Sequence, residues 1–307
     1  MISAEGDGTE GLEGFQRRTV ELEAGRIHYW EAGSGEPLLF VHGWAVNGTL
    51  WREPATALAG SHRCIVPDLP FGSHPEPINP EADLSPPGAA RIVSELIAAL
   101  GLDGVTIVAN DSGGAISQIL VTERPTGVAR LVLTNCDALE QYPPGIFKLL
   151  VKALRMPGFM AVLVNSLRFG LIQRSPLAYG ALSQTRIDSA RLDGWVRPAI
   201  EQRGVRRDSR RFGVEMDPRH TLDAAEKLPG LRIPVLLAWG ERDRNFKIEL
   251  AERLAKLIPD SRLVRFRDSS TFVSIDEPER LAAEISAFIA ETAAASGAVS
   301  APGAAGP

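Results

Sequence analysis

The run Val105-Thr-Ile-Val-Ala-Asn-Asp-Ser-Gly-Gly114 carries the strongest chemical signal in the chain. A β-branched stretch ends in Ala-x-Asp-x-Gly-Gly and passes directly into a helical pattern. That is the context of a sharp strand-to-helix turn, which lifts one side chain above a sheet. Ala109, Gly113 and Gly114 are small enough for close backbone approach. Asp111 holds the raised position, so the group on offer is a carboxylate able to attack an electrophilic carbon. Ser112 is a rival nucleophile, but that register puts Asn110 where a small residue is needed. The purely structural alternative is that Asp111 only N-caps the following helix.

Two other segments end apolar strands in polar groups. One is Phe40-Val-His-Gly-Trp44, the other Leu237-Ala-Trp-Gly-Glu-Arg-Asp243. With the Asp111 turn, they make the chain resemble the α/β-hydrolase fold. The resemblance implies an oxyanion hole built from the backbone N–H groups of Trp44 and Ser112, with donors worth ~3 kcal/mol each in the transition state. It also implies a structural role for His42. Asp243 then becomes the acid of the catalytic set, and Asp137, in Leu-Thr-Asn-Cys-Asp137, is the alternative acid.

An aspartate at the raised position narrows the resemblance to the haloalkane dehalogenase and epoxide hydrolase group, over residues 20–290. In that group the carboxylate attacks an sp3 carbon and forms an alkyl-enzyme ester. Water, activated by a His-acid pair, then hydrolyses the ester. The positive end of the helix after Asp111 is expected to keep the carboxylate ionised.

The resemblance fails at one decisive place. Relatives carry histidine in a loop after the last strand, and here that position is Thr271, in Asp268-Ser-Ser-Thr-Phe-Val. A hydroxyl cannot take a proton near neutral pH, so Thr271 is no general base. No histidine follows His220. His74, in the loop after the fourth strand, is the candidate surrogate base, with an exposed loop imidazole as the plain alternative. Thr221 beside His220 reads as a helix N-cap.

The usual halide-holding pair is also not intact. Its positions hold Ser112 and Trp44, although an inward indole N–H of Trp44 remains available. Two tyrosines, Tyr142 and Tyr179, lie where epoxide hydrolases use tyrosines to protonate the opening oxygen.

The elements that must position these groups alternate strand and helix. VELEA, RIHYWEA, PLLFVHG, HRCIVPDL, GVTIVAN, ARLVLTN, IPVLLAWG and SRLVRFRD read as strands. Several are nearly continuous Val/Ile/Leu, as central parallel strands covered on both faces require. The first two run on with only Gly25 between, which predicts an antiparallel hairpin. The expected fold is a mostly parallel twisted sheet flanked by helices, with core residues 17–137 and 229–292.

Residues 138–228 are helical throughout and read as an inserted cap over the strand C-termini, where ligands bind in such sheets. Its apolar residues Phe147, Leu150, Met156, Phe159 and Met160 suit either a ligand pocket or the cap's own core. The run Arg203-Gly-Val-Arg-Arg-Asp-Ser-Arg-Arg211 reads as a solvated helix face, or as a guide for an anionic substrate. Residues 1–16 and 293–307 have little to bury and are expected to be disordered.

Of 307 residues, 44% are hydrophobic, enough for a substantial core, and a net charge of −5 argues against a nucleic-acid partner. The two cysteines, Cys64 and Cys136, fit a reducing, cytoplasmic setting, and no stretch is long enough to span a membrane. Neither metal-ligand spacing nor a cofactor fingerprint is present, so no cofactor is expected and a small molecule is the expected partner.

Together these features predict an aspartate-nucleophile hydrolase acting on a small, largely apolar substrate. Two alternatives remain: a non-hydrolytic acid-base enzyme in the same pocket, or a silent ligand-binding protein.

Overall fold

The Val/Ile/Leu runs become the interior strands of one nine-stranded sheet in the computed structural model, which describes residues 3–4, 11–124 and 126–299. The strands are β1 Ser3–Ala4, β2 Gln16–Leu22, β3 Gly25–Ala32, β4 Pro37–Val41 and β5 Arg63–Asp68. They continue with β6 Val105–Asp111, β7 Val128–Cys136, β8 Val235–Gly240 and β9 Ser261–Phe266. Their spatial order is β1-β2-β3-β5-β4-β6-β7-β8-β9. From β5 to β9 every pairing is parallel, and β1, β2 and β3 add antiparallel pairs at one edge. The expected hairpin is present as β2–β3, with Val20 opposite Ile27, and its turn falls at residues 23–24.

Alternation along the strands divides the core in two. Leu39, Val41, Ile107, Ala109, Leu131, Leu133 and Leu237 face one side. Leu38, Phe40, Val108, Val132, Leu236 and Ala238 face the other. Helices cover both faces, which explains why β8 is buried at every residue. α1 Arg52–Leu58 packs on the last helix, α12 Pro278–Val299. α2 Pro86–Ala99 packs on α3 Ser112–Glu123 across the sheet from them. Ser85 caps α2 and prolines open it.

The inserted block contains α4 Lys148–Ala153, α5 Phe159–Ser166, α6 Gly170–Gln173, α7 Ser189–Glu201, α8 Arg203–Val214 and α9 Pro218–Lys227. Not all of it is a cap. Helix α9 packs on α3, with Ala224 and Ala225 buried in the main core. It is capped by Asp217, not Thr221, whose hydroxyl instead bonds the Leu139 carbonyl at 2.6 Å. Two short helices complete the core, α10 Ile248–Leu257 and α11 Val273–Asp276.

Described structure reaches into both stretches whose composition suggests disorder. Ser3–Ala4 pair with β2, and Leu12 is buried because its side chain joins the core cluster that holds Leu38 and Phe40. Helix α12 runs to Val299, since its alanines are strong helix formers even with little to bury. The remaining parts of those two expectations, residues 1–2, 5–10 and 300–307, lie outside the described residues. No described helix is long and apolar enough to cross a membrane.

Candidate active site

Strand β6 ends on Asp111, whose backbone sits at φ 54° and ψ −134°. An L-residue there costs ~1–3 kcal/mol and persists only where the surroundings enforce it. The enforcement is steric. A Cβ on Gly113 would lie 2.5 Å from the Val41 carbonyl oxygen and 2.6 Å from that of His42, so α3 starts hard against the end of β4. The β6–β7 register shifts between Ala109 and Asp111, and the Asp137 N–H reaches back to the Asp111 carbonyl at 3.3 Å.

The carboxylate is held by one oxygen. Oδ1 accepts from the Ser112 N–H at 2.5 Å and from the Ser112 hydroxyl at 2.9 Å. Among the described residues Oδ2 takes no hydrogen bond, and the residue as a whole stays partly exposed. A Cβ on Gly43 would lie 2.6 Å from the Asp111 Cβ and 3.0 Å from Oδ1. The Gly43–Trp44 turn therefore lies directly against Oδ1.

The capping alternative is met only in part, because the side-chain bond goes to the first helical N–H, that of Ser112. Burial pushes the Asp111 pKa above its ordinary value, and the two Ser112 bonds pull it back only partly. Desolvation thus works against the helix end, which is expected to favour the ionised form.

Asp243 is buried at the end of β8 and collects four donors. Its Oδ1 takes the N–H groups of Asn245 at 2.7 Å and Phe246 at 3.1 Å. Its Oδ2 takes Asn135 Nδ2 at 2.9 Å and the Thr271 hydroxyl at 2.8 Å. Burial nonetheless pushes its pKa up to about 6. Thr271 is buried, and its carbonyl accepts from Asn110 Nδ2 at 2.8 Å.

Asp137 is also buried, and its Oδ1 has no hydrogen-bond partner. Burial, then the charge of Asp111, holds it well above the carboxylate range, against a lowering contact from the Ser112 hydroxyl. Burial and the neighbouring Asp111 charge therefore disfavour its charged form. Tyr142 is fully buried and its hydroxyl has no partner. Burial and the nearby charges of Asp137 and Asp111 keep its phenol protonated well above the ordinary tyrosine range.

The structure does not bring every expected group to Asp111. His74 is not an exposed loop imidazole and does not bond Asp111. It is buried, with Nε2 3.4 Å from Asp208 of α8 and Nδ1 facing the Gly72 N–H at 3.4 Å. The loop and the cap meet there, and Asp208 also takes the Ile78 N–H at 3.1 Å. His42 has the structural role expected of it. Its Nε2 accepts from the Leu69 N–H and its Nδ1 contacts the Gly43 carbonyl, both at 2.8 Å, while burial lowers its pKa to about 4. The Trp44 indole does not turn inward for a leaving group; it donates to the Ser209 hydroxyl of α8 at 3.0 Å. Tyr179 likewise donates to the Ala45 carbonyl at 2.7 Å and is not a free proton donor.

The arginine run is neither a solvated face nor a substrate guide. Arg206, Arg207, Arg210 and Arg211 donate to the carbonyls of Ala199, Ile78, Leu154 and Ala82, stapling α8 to its neighbours. Met160 belongs to a small core inside the cap, whereas Met156 is exposed. Sequence reasoning passed over Asn135. It ties β7 to β8 by accepting the Gly240 N–H at 2.6 Å while donating to Asp243. Its only signal was amide polarity at the end of an apolar strand. Among the described residues no group of three or more acidic, histidine or cysteine side chains is placed to hold a metal.

The profile of a family described as the alpha/beta hydrolase fold matches residues 36–278. The chain is 29% identical over 289 residues to haloalkane dehalogenase 2 of Mycobacterium tuberculosis, covering 88% of this chain and 94% of the relative. It is 24% identical over 293 residues to the cis-3-alkyl-4-alkyloxetan-2-one decarboxylase of Shewanella oneidensis, covering 91% of this chain and 89% of the relative. Among solved structures, haloalkane dehalogenase DbeA from Bradyrhizobium elkani superposes with a TM-score of 0.74 at 19% identity, covering 96% of this chain and 99% of that one. This last likeness is one of fold.

Proposed function

The chain belongs to the alpha/beta hydrolase fold family, and from that premise we propose that Asp111 is a carboxylate nucleophile acting on a small, largely apolar electrophile. The observation that carries this reading is the asymmetry of the carboxylate: Oδ1 is fixed by Ser112 against the Gly43–Trp44 turn, and Oδ2 is left without a hydrogen bond among the described residues. Oδ2 attacks an sp3 carbon, and Oδ1 becomes the carbonyl oxygen of the ester. That oxygen already sits where the Ser112 and Trp44 amides would receive negative charge if water later attacked the ester.

The leaving group is better matched to oxygen than to halide. The Trp44 indole N–H is committed to Ser209. Tyr142 keeps a buried, protonated hydroxyl within electrostatic reach of Asp111. When Oδ2 opens an epoxide, one carbon–oxygen bond breaks as the ester bond forms, and the departing oxygen takes a proton from the Tyr142 hydroxyl. The products are a hydroxyalkyl ester of Asp111 and the Tyr142 phenolate, which carries the negative charge that the carboxylate gave up. Thr271 donates to Asp243 and has no basic nitrogen, so no imidazole draws a proton from water and the ester is long-lived.

A second reading follows from the same gap. Loss of CO2 from an oxetan-2-one consumes no water, so a site without a water-activating imidazole is suited to it, and one relative of this chain carries that activity in its name. In that case Asp111 would act without a lasting hydrolytic half-reaction.

Intact-protein mass spectrometry after incubation with small epoxides and 1-iodoalkanes tests the proposal. The expected result is a persistent adduct of one reagent equivalent, mapped to Asp111 and absent in Asp111→Asn. Neither adduct nor turnover across such a panel would overturn the nucleophile. CO2 release from an oxetan-2-one, with no adduct from either reagent class, would select the second reading.

A further inference from the structure

A concave feature away from Asp111 lies between the cap and the antiparallel edge of the sheet. It is a cleft of about 310 Å³ walled by β2, β3, the start of α1 and α7, and Asp111 is not among its lining residues. Four arginines line it: Arg17 from β2, Arg52 from α1, and Arg191 and Arg197 from α7. Two aspartates share the wall. Asp68 is buried and accepts the Gly48 N–H at 2.9 Å, and Asp188 caps α7.

The arginines are not equally satisfied. Arg191 is buried and paired with Glu53, although its Nε too has no hydrogen-bond partner among the described residues. Arg17 lies over the Trp30 ring at 5.5 Å, yet its Nε is buried without a hydrogen-bond partner. Arg52 has the same defect at its Nε. Its charge is opposed first by burial and then by Arg191, and the acids that offset this, Glu53 and Asp188, already serve Arg191. Buried guanidinium donors left without partners, beside a second like charge, are costly unless an anion enters.

We propose that this cleft binds the phosphate group of a small phosphorylated molecule. Guanidinium forks reach it from three separate elements. A tetrahedral phosphate turns its oxygens toward several directions at once, whereas a carboxylate offers two oxygens in one plane. The cavity exceeds a bare phosphate ion, so an organic portion fits as well. Its occupant would bridge α7 of the cap to α1 and β2 of the core.

Titration calorimetry on the full chain, with inorganic phosphate and with glycerol 3-phosphate, tests the site. The expected result is saturable one-to-one binding that weakens with added salt, falls about tenfold or more in Arg52→Gln and in Arg17→Gln, and is unchanged in Asp111→Asn. Arg52→Lys keeps a charge without the fork, so it is expected between wild type and Arg52→Gln. This guards against a folding defect in Arg52→Gln, and an unchanged melting temperature does so for Arg17→Gln. Tighter binding of glycerol 3-phosphate assigns the site to a phosphate ester, and equal binding assigns it to the free ion. No saturable heat at tens of millimolar of either probe, or the same affinity in all the arginine variants, would overturn the proposal.

Discussion

The Thr271 hydroxyl donates to Asp243 Oδ2 at 2.8 Å, inside a buried pocket shared with Asn135. The acid thus keeps a partner at the position where relatives are expected to hold histidine, but the partner cannot accept a proton. Thr271→His would put an imidazole on that acid. If Asp111 forms a stable ester, its decay should accelerate by about 10²-fold or more, with a pH dependence set by the new imidazole. Time-resolved intact mass reads this directly. A folded variant whose ester decays at the parental rate would show that the missing base is not what limits turnover.

Gly43 is the tightest constraint on the candidate nucleophile, since a Cβ there would lie 2.6 Å from the Asp111 Cβ. Gly43→Ala is expected to displace the carboxylate from the Ser112 amide and slow alkylation of Asp111 by about 10²-fold. Alkylation at the parental rate, with melting unchanged, would mean the turn is not packed on Asp111 as described.

Tyr142 gives a comparison between two leaving groups. Its hydroxyl bonds nothing among the described residues, so Tyr142→Phe should leave stability nearly intact. Adduct formation from epoxides should fall by about 10²-fold, because the opening oxygen loses its proton source. Reaction with 1-iodoalkanes, whose leaving iodide needs no proton, should not change. Equal losses with both reagents would remove Tyr142 from the chemistry.

The backbone at Asp111 predicts a trade of stability against activity. Its φ of 54° favours glycine. Asp111→Gly should therefore raise unfolding free energy by about 1–2 kcal/mol in urea while abolishing the adduct. A destabilised glycine variant would place the cost elsewhere than in this turn.

Asp243 makes stability depend on pH in a stated direction. Its folded pKa is raised to about 6, so the folded state binds the proton more tightly than the unfolded chain does. The contribution is fully present below the ordinary aspartate pKa of about 4 and is lost as pH rises through about 6, a change on the order of 2–3 kcal/mol. Urea unfolding of Asp243→Asn between these limits should show a flatter profile than the parent. The diagnostic quantity is the slope, because the amide also disturbs the bonds from Asn135 and Thr271.

The sheet, the Asp111 turn and the absence of histidine at Thr271 were legible because each is local. Continuous apolar runs, a small-x-Asp-x-Gly-Gly spacing and one residue type suffice to read them. What escaped the sequence depends on long-range partners. His74 looked like an available base, but its neighbour Asp208 comes from a helix 134 residues later. Trp44 looked like an inward donor until Ser209, 165 residues on, took its N–H. The arginines of α8 looked solvated because their acceptors are backbone carbonyls, which carry no residue signature. Asn135 was silent for the same reason: two of its three donor contacts go to carbonyls.

Ser209 and Tyr179 both belong to the insertion, and they grip consecutive residues of the turn beside Asp111, Trp44 through its indole and Ala45 through its carbonyl. Access and readiness are therefore coupled. If the cover were to lift far enough to admit a guest, it would let go of the loop placed to cradle a developing charge.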